Sequence, residues 1–120
     1  VTEEYGLFGV FDGHGGESCS QYCKEQILPR VSQLLEQGVP PQKALTDAFV
    51  AVDDDYCTLA RKLDLDDGST ATVLLLKGGE YYLAATGDSR AVLVKEDGIA
   101  EPLSDDHKPD RRDERQRVAR

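Results

Sequence analysis

The stretch STATVLLLKGGEYYLAAT, residues 69–86, does more than any other segment to restrict what this chain can fold into. Two runs of β-branched, aromatic and apolar residues flank the pair Gly78-Gly79, and glycine tolerates the positive φ that a two-residue turn demands. The pattern predicts an antiparallel hairpin with strands over 69–77 and 80–86. RAVLVK at 90–95 follows the bend GDS, and EDG at 96–98 leads to another short strand around 99–103. Together these runs predict a meander of three or four antiparallel strands.

Upstream the period changes from two to about three and a half. After Pro41, Leu45, Phe49, Val52, Tyr56, Leu59 and Leu63 fall on one helical face, while Asp47, Asp54, Asp55, Arg61 and Lys62 fall on the other. The stripe is too short for a coiled-coil seam, so it predicts a helix packed on a sheet. An earlier helix is expected through ESCSQYCKEQIL, with Glu17 and Ser18 in the first turn, an apolar stripe of Cys19, Tyr22, Cys23 and Ile27, and a kink or restart at Pro29. Before it, YGLFGVFD at 5–12 reads as a strand with apolar residues on both faces. Strand, two helices and meander in that order give an α+β fold in which antiparallel β-sheet layers are covered by helices.

The 120 residues allow at most one domain with a modest core. A net charge of −9 argues against nucleic acid and anionic membranes as partners, because both call for a basic face. No apolar run is long enough to span a bilayer and no leader pattern is present. The first residue is Val1, and the charged stretch DDHKPDRRDERQRVAR, with a helix start at Pro109, stops in mid-pattern on Arg120. Both ends are therefore expected to continue in a longer protein. Cys19, Cys23 and Cys57 form no CxxC or zinc-type spacing, and are expected to be buried, reduced thiols of an intracellular protein of cytoplasm or nucleus.

The chemistry concentrates in FGVFDGHGG, residues 8–16, where an apolar run ends on an aspartate, a histidine and three glycines. There is no GxxxxGK[ST], which excludes a nucleotide P-loop. DLDDG lacks the register and the twelfth-position glutamate of an EF-hand, and HGG lacks the GxSxG elbow that an esterase needs. What remains is a set of carboxylates at strand ends: Asp12, Asp67 and Asp88. Such hard oxygen donors suit magnesium or manganese, and Gly13 lets a backbone carbonyl approach the same ion. Asp67 also fits the plainer role of turn former or helix cap.

FGVFDGHGG, DGSTATVLL, AATGDSRAVL and LSDDHKP, in this order and spacing, resemble the metal-dependent serine/threonine protein phosphatases of the PP2C type, the PPM family. The resemblance implies a partial PP2C-like α-β-β-α sandwich over residues 1–120 and a phosphoprotein substrate. It implies that Asp12 bridges two Mn2+ or Mg2+ ions, that the Gly13 carbonyl ligates one, and that metal-activated water attacks the phosphorus while His14 acts as general acid. Thr70 matches the threonine that orients metal-bound water, and Asp88 matches a ligand of a further, weaker metal site. Asp106 and His107 match a family motif with no assigned chemistry. Bound cations also explain how an acidic chain handles a phosphate dianion.

Family members are longer on both sides, with a phosphate-contacting arginine and an acidic ligand before the first strand and further aspartate ligands beyond Arg120. The expectation is therefore an active parent phosphatase and a weakly active or inactive isolated segment, with a sheet face or edge that lacks its normal cover. A non-catalytic PP2C-like scaffold that binds a kinase or receptor is the alternative; such a protein would be expected to have lost Asp12 or His14, and this sequence keeps both. The oligomeric state is left open.

Overall fold

Gly78 and Gly79 adopt φ angles of 61° and 78°. They close a hairpin between β4 (Ala71–Lys77) and β5 (Glu80–Thr86), whose register runs from Ala71↔Thr86 to Lys77↔Glu80. The structure is a computed structural model and describes residues 4–104. The expected helix at Pro109, and Asp106 and His107, lie outside the described residues.

The third strand of the sheet is not the one that follows the hairpin. β1 (Tyr5–Val10) pairs with β4 across six residues, from Tyr5↔Lys77 to Val10↔Thr72, giving the order β1-β4-β5. β6 (Val92–Val94) and β7 (Ala100–Pro102) form a separate two-stranded ribbon. The expected meander therefore breaks after β5, where Gly87 with a φ of 98° turns the backbone out of the sheet. A second small pairing joins β2 (Gly13–His14) to β3 (Gly68–Ser69). The strand expected over 69–77 is thus interrupted at Thr70, whose N–H donates to the Asp12 carbonyl at 3.0 Å.

Two helices, α1 (Ser18–Glu36) and α2 (Pro41–Leu63), cover one face of the sheet. Val31 of α1, Val52 of α2 and Val73 and Leu75 of β4 meet at the solvent-free centre. Leu45 and Tyr56 of the predicted stripe are buried with Val52, Phe49 and Leu59 are half-buried, and Ala44 and Ala48 fill the close approach. Leu63 departs from expectation and is exposed. The helix ends beside it: Asp64 takes a left-handed φ of 56°, and the Leu65 N–H donates to the Ala60 carbonyl at 2.8 Å.

Pro29 lies inside α1 without ending it. A proline in a helix interior costs roughly 3 kcal/mol, whereas burying a large aliphatic side chain is worth about 1.5–3 kcal/mol. Ile27 and Val31 are both buried on either side of Pro29, so packing holds the helix through it. Cys19 and Cys23 are buried in the same stripe, but Cys57 is exposed, because it follows Tyr56 around the helix onto the polar side. β1 is likewise covered on one side only. The far face of the sheet presents Phe8, Val10, Leu76 and Tyr81, which are 44–60% exposed. Among the described residues no helix is long and apolar enough to cross a membrane.

Candidate metal and catalytic site

The backbone of Asp12, just beyond β1, is held at both its polar groups by one residue. Its N–H donates to the Thr70 hydroxyl at 3.0 Å, and its carbonyl accepts the Thr70 N–H at 3.0 Å. Thr70 is buried, and its Oγ1 also lies 2.7 Å from the Ser89 hydroxyl. The end of β1, the start of β4 and the bend after β5 therefore converge on one threonine. Asp88 stands in that bend next to Ser89, and is exposed, as is Asp12.

The chain leaves Asp12 into the short β2–β3 pairing, where Gly13 faces Ser69 and His14 faces Gly68. An added Cβ at Gly13 would sit 2.8 Å from Ser20 Oγ, so the backbone there is pressed against the first turn of α1. At Gly68 a Cβ would lie 2.5 Å from His14 Nε2, so the imidazole rests directly over the glycine backbone. His14 is otherwise exposed at the rim. Of the sequence-predicted set, Asp12, Gly13, His14 and Thr70 lie along the β2–β3 seam, and the bend carrying Asp88 is tied to it through Ser89.

Asp67 does other work. Its Oδ2 accepts the Cys19 N–H at 2.7 Å, and its Oδ1 accepts the Tyr56 hydroxyl at 2.5 Å. Glu17, at the N-cap position of α1, makes no side-chain cap bond, so a carboxylate from the loop between α2 and β3 supplies the cap instead. The plainer reading of Asp67 is the one the structure bears out, on a helix remote in sequence.

These bonds set the protonation of the group. Donation from Tyr56, then from the Cys19 N–H, holds the Asp67 carboxyl below its ordinary range, with the charge of His14 adding to the effect. Burial, then the bond to Asp67, pushes the Tyr56 phenol up to about 12. For Asp67 the stabilisation is complete above the ordinary carboxylate pKa of about 4 and is lost as pH falls through the depressed value. For Tyr56 it is complete below the ordinary value of 10.0 and is lost as pH rises towards about 12. Tyr56→Phe is expected to lower Tm by about 5 °C at pH 7, from the loss of one hydrogen bond, and to flatten both the acid and the alkaline limbs of Tm against pH. Equal Tm values for the two chains at pH 7 would show that the bond contributes nothing.

The site's donors suit a metal centre in kind but not in number. Asp12 and Asp88 offer carboxylates and Gly13 a carbonyl, all hard oxygens suited to Mg2+ or Mn2+. In kind they fit. In number they fall short of a complete shell, and no group of three or more His, Cys, Asp or Glu side chains gathers among the described residues. Sequence reasoning missed Ser89 and Tyr56. Ser89 lies in the GDS bend, where a serine also suits a turn, and the spacing of Tyr56 along its helix marks it only as core.

The Protein phosphatase 2C family model matches residues 2–120. Probable protein phosphatase 2C member 13, mitochondrial, of Oryza sativa subsp. japonica is 43% identical over 112 residues, covering 93% of this chain and 31% of that protein. Probable protein phosphatase 2C 11 of Arabidopsis thaliana is 40% identical over 112 residues, covering 93% of this chain and 30% of that protein. Among solved structures, a C. elegans sex determining protein superposes with a TM-score of 0.84 at 26% identity, over 96% of this chain and 29% of that one. The serine-threonine phosphatase 2C from Toxoplasma gondii does so with a TM-score of 0.79 at 26% identity, over 96% of this chain and 44% of that one. The chain thus spans about a third of the length of the curated relatives it matches. With a family model that matches residues 2–120 and relatives 40% and 43% identical along nearly its whole length, the chain belongs to the protein phosphatase 2C family.

Proposed function

We propose that this chain is the metal-binding portion of a serine/threonine phosphatase that hydrolyses phosphoserine and phosphothreonine in proteins, and that residues 1–120 alone have weak activity or none. The observation that carries the reading is the double backbone anchor between Asp12 and Thr70, which holds the start of DGHGG rigidly at an exposed rim.

Asp12 and the Gly13 carbonyl would hold Mn2+ or Mg2+, with Asp88 contributing to a further site. Such ions supply Lewis-acid charge and a water that ionises near neutral pH. The chain's own residues do the rest. His14, on the rim beside Asp12, is placed to give a proton from its imidazole to the departing serine or threonine oxygen. Thr70 fixes the backbone of Asp12 through both its hydroxyl and its N–H. The negative charge of the chain repels phosphate, so substrate binding depends on the cations. Three donors divided between cation sites would leave most of each shell to water, which is why the isolated segment is expected to be a poor catalyst. An intracellular setting, cytoplasm or nucleus, fits the unpaired thiols.

The test is hydrolysis of a phosphoserine peptide in Mn2+ by the full-length protein and by residues 1–120. The full-length protein is expected to hydrolyse it and a chelator to stop it. The segment should be slower by more than about 100-fold, beyond what losing an outer-shell partner costs. Matching rates would overturn the partial-site reading. A full-length protein that binds a partner but leaves the peptide intact would overturn the catalytic one.

A further inference from the structure

We infer that Ser89 is a positioning residue: through Thr70 it fixes the backbone of Asp12, and so sets where the Asp12 carboxylate meets a divalent cation. The identity of the ligand rests on the phosphatase reading above. The hydrogen-bond chain itself does not.

Thr70 links Asp12 at one end of this hydrogen-bond chain to Ser89 at the other. A threonine hydroxyl has one proton to donate and two lone pairs to accept with. Thr70 Oγ1 spends one lone pair on the Asp12 N–H at 3.0 Å, and its 2.7 Å contact with Ser89 Oγ uses the proton or the second pair. Either way the hydroxyl is satisfied on both sides inside a buried residue. When the Thr70 proton goes to Ser89, the oxygen becomes a better acceptor for Asp12, since bonds in a chain polarise one another.

The same bend also fixes the rotamer. A β-branched side chain has few staggered wells, and exchanging them swaps its methyl and hydroxyl groups. The Thr70 methyl lies against Gly87, so close that a Cβ at Gly87 would be 2.6 Å from it. Gly87 therefore holds the methyl on one side while Ser89 holds the hydroxyl on the other. Two residues of one bend, about seventy-five positions downstream of Asp12, determine which atom of Thr70 faces the DGHGG backbone. Ser89 touches neither the cation nor the substrate in this scheme; its influence passes entirely through Thr70.

The experiment uses the full-length protein and two readouts. Isothermal titration of Mn2+ into Ser89→Ala is expected to show affinity weakened by about 10-fold, the lower end of what outer-shell substitutions do. Ser89→Thr, which keeps a hydroxyl, should recover most of it. In the metal-free protein, hydrogen exchange of the Asp12 amide should quicken in Ser89→Ala and return towards the parent rate in Ser89→Thr. Because Ser89 acts through Thr70, Ser89→Ala combined with Thr70→Val should bind Mn2+ no more weakly than Thr70→Val alone. Parent-like affinity and Asp12 exchange in Ser89→Ala would overturn the inference, and so would effects of the two substitutions that multiply. If the parent protein binds no Mn2+, the phosphatase reading fails, and the Asp12 exchange rates still decide the role of Ser89.

Discussion

Asp12→Asn in the full-length protein is expected to weaken Mn2+ binding by more than about 100-fold, exceeding the range seen for outer-shell changes, and to remove phosphopeptide hydrolysis with it. Asparagine has nearly the size and shape of aspartate, and the contacts that hold residue 12 run through its backbone N–H and carbonyl to Thr70. Both survive the substitution. What disappears is the negative charge and one of two equivalent oxygens, which a hard divalent ion needs and an amide nitrogen does not replace. Since the side chain is exposed, the metal-free Tm should stay within about 3 °C of the parent. Titration of Mn2+ into both proteins, with a melting curve of each in chelator, separates loss of a ligand from loss of fold. Unchanged affinity in Asp12→Asn would move the metal away from DGHGG altogether.

Gly87→Ala is expected to be strongly destabilising. Residue 87 has a φ of 98°, where an L side chain is strained. The new Cβ would also sit 2.6 Å and 2.8 Å from the Thr70 Cγ2 and Cβ and 3.2 Å from its Cα. Those atoms belong to a buried residue whose backbone is bonded to Asp12, so they cannot swing aside as the tip of a long side chain would. Backbone strain of about 1–2 kcal/mol and overpacking of about 1–3 kcal/mol together suggest a loss near 3 kcal/mol. For a domain of this size that is a fall in Tm of about 12–24 °C. Gly78→Ala is the matched control: it also has positive φ, 61°, but meets nothing within 4 Å, so it should show the strain without the collision. Equal Tm losses in the two variants would show that the contact with Thr70 is of no consequence.

The hairpin and the second helix were legible in sequence because their signals are local. Gly78-Gly79 fixes a turn within two residues, and the stripe from Leu45 to Tyr56 repeats at short intervals along one helix. β1 was legible as a strand, but its partner was not. Pairing with β4 joins segments separated by both helices, and nothing in YGLFGV specifies which of the later strands will lie beside it. The same limit applies to Asp67. Its type and place suggested a cap, yet the N–H it caps is 48 residues away and the hydroxyl it binds belongs to a tyrosine that periodicity assigns to the core. At the site, DGHGG announced itself by crowding a carboxylate, an imidazole and glycines together. Ser89 did not, because its significance lies in a contact with Thr70 rather than in its neighbours along the chain.

The distance from Cys19 to its capping carboxylate bears on how the protein is made. A ribosome adds roughly 5–20 residues per second, so the first turn of α1 emerges about 2–10 s before Asp67 exists to accept its N–H group, 48 residues later. Asp12 waits about 3–12 s for Thr70, 58 residues later, at the same rate. Through that interval β1 lacks β4, the strand that it pairs with across six residues. The segment around residues 67–77 carries both the strand that pairs with β1 and the carboxylate that caps α1, so its arrival completes two distant structures at once.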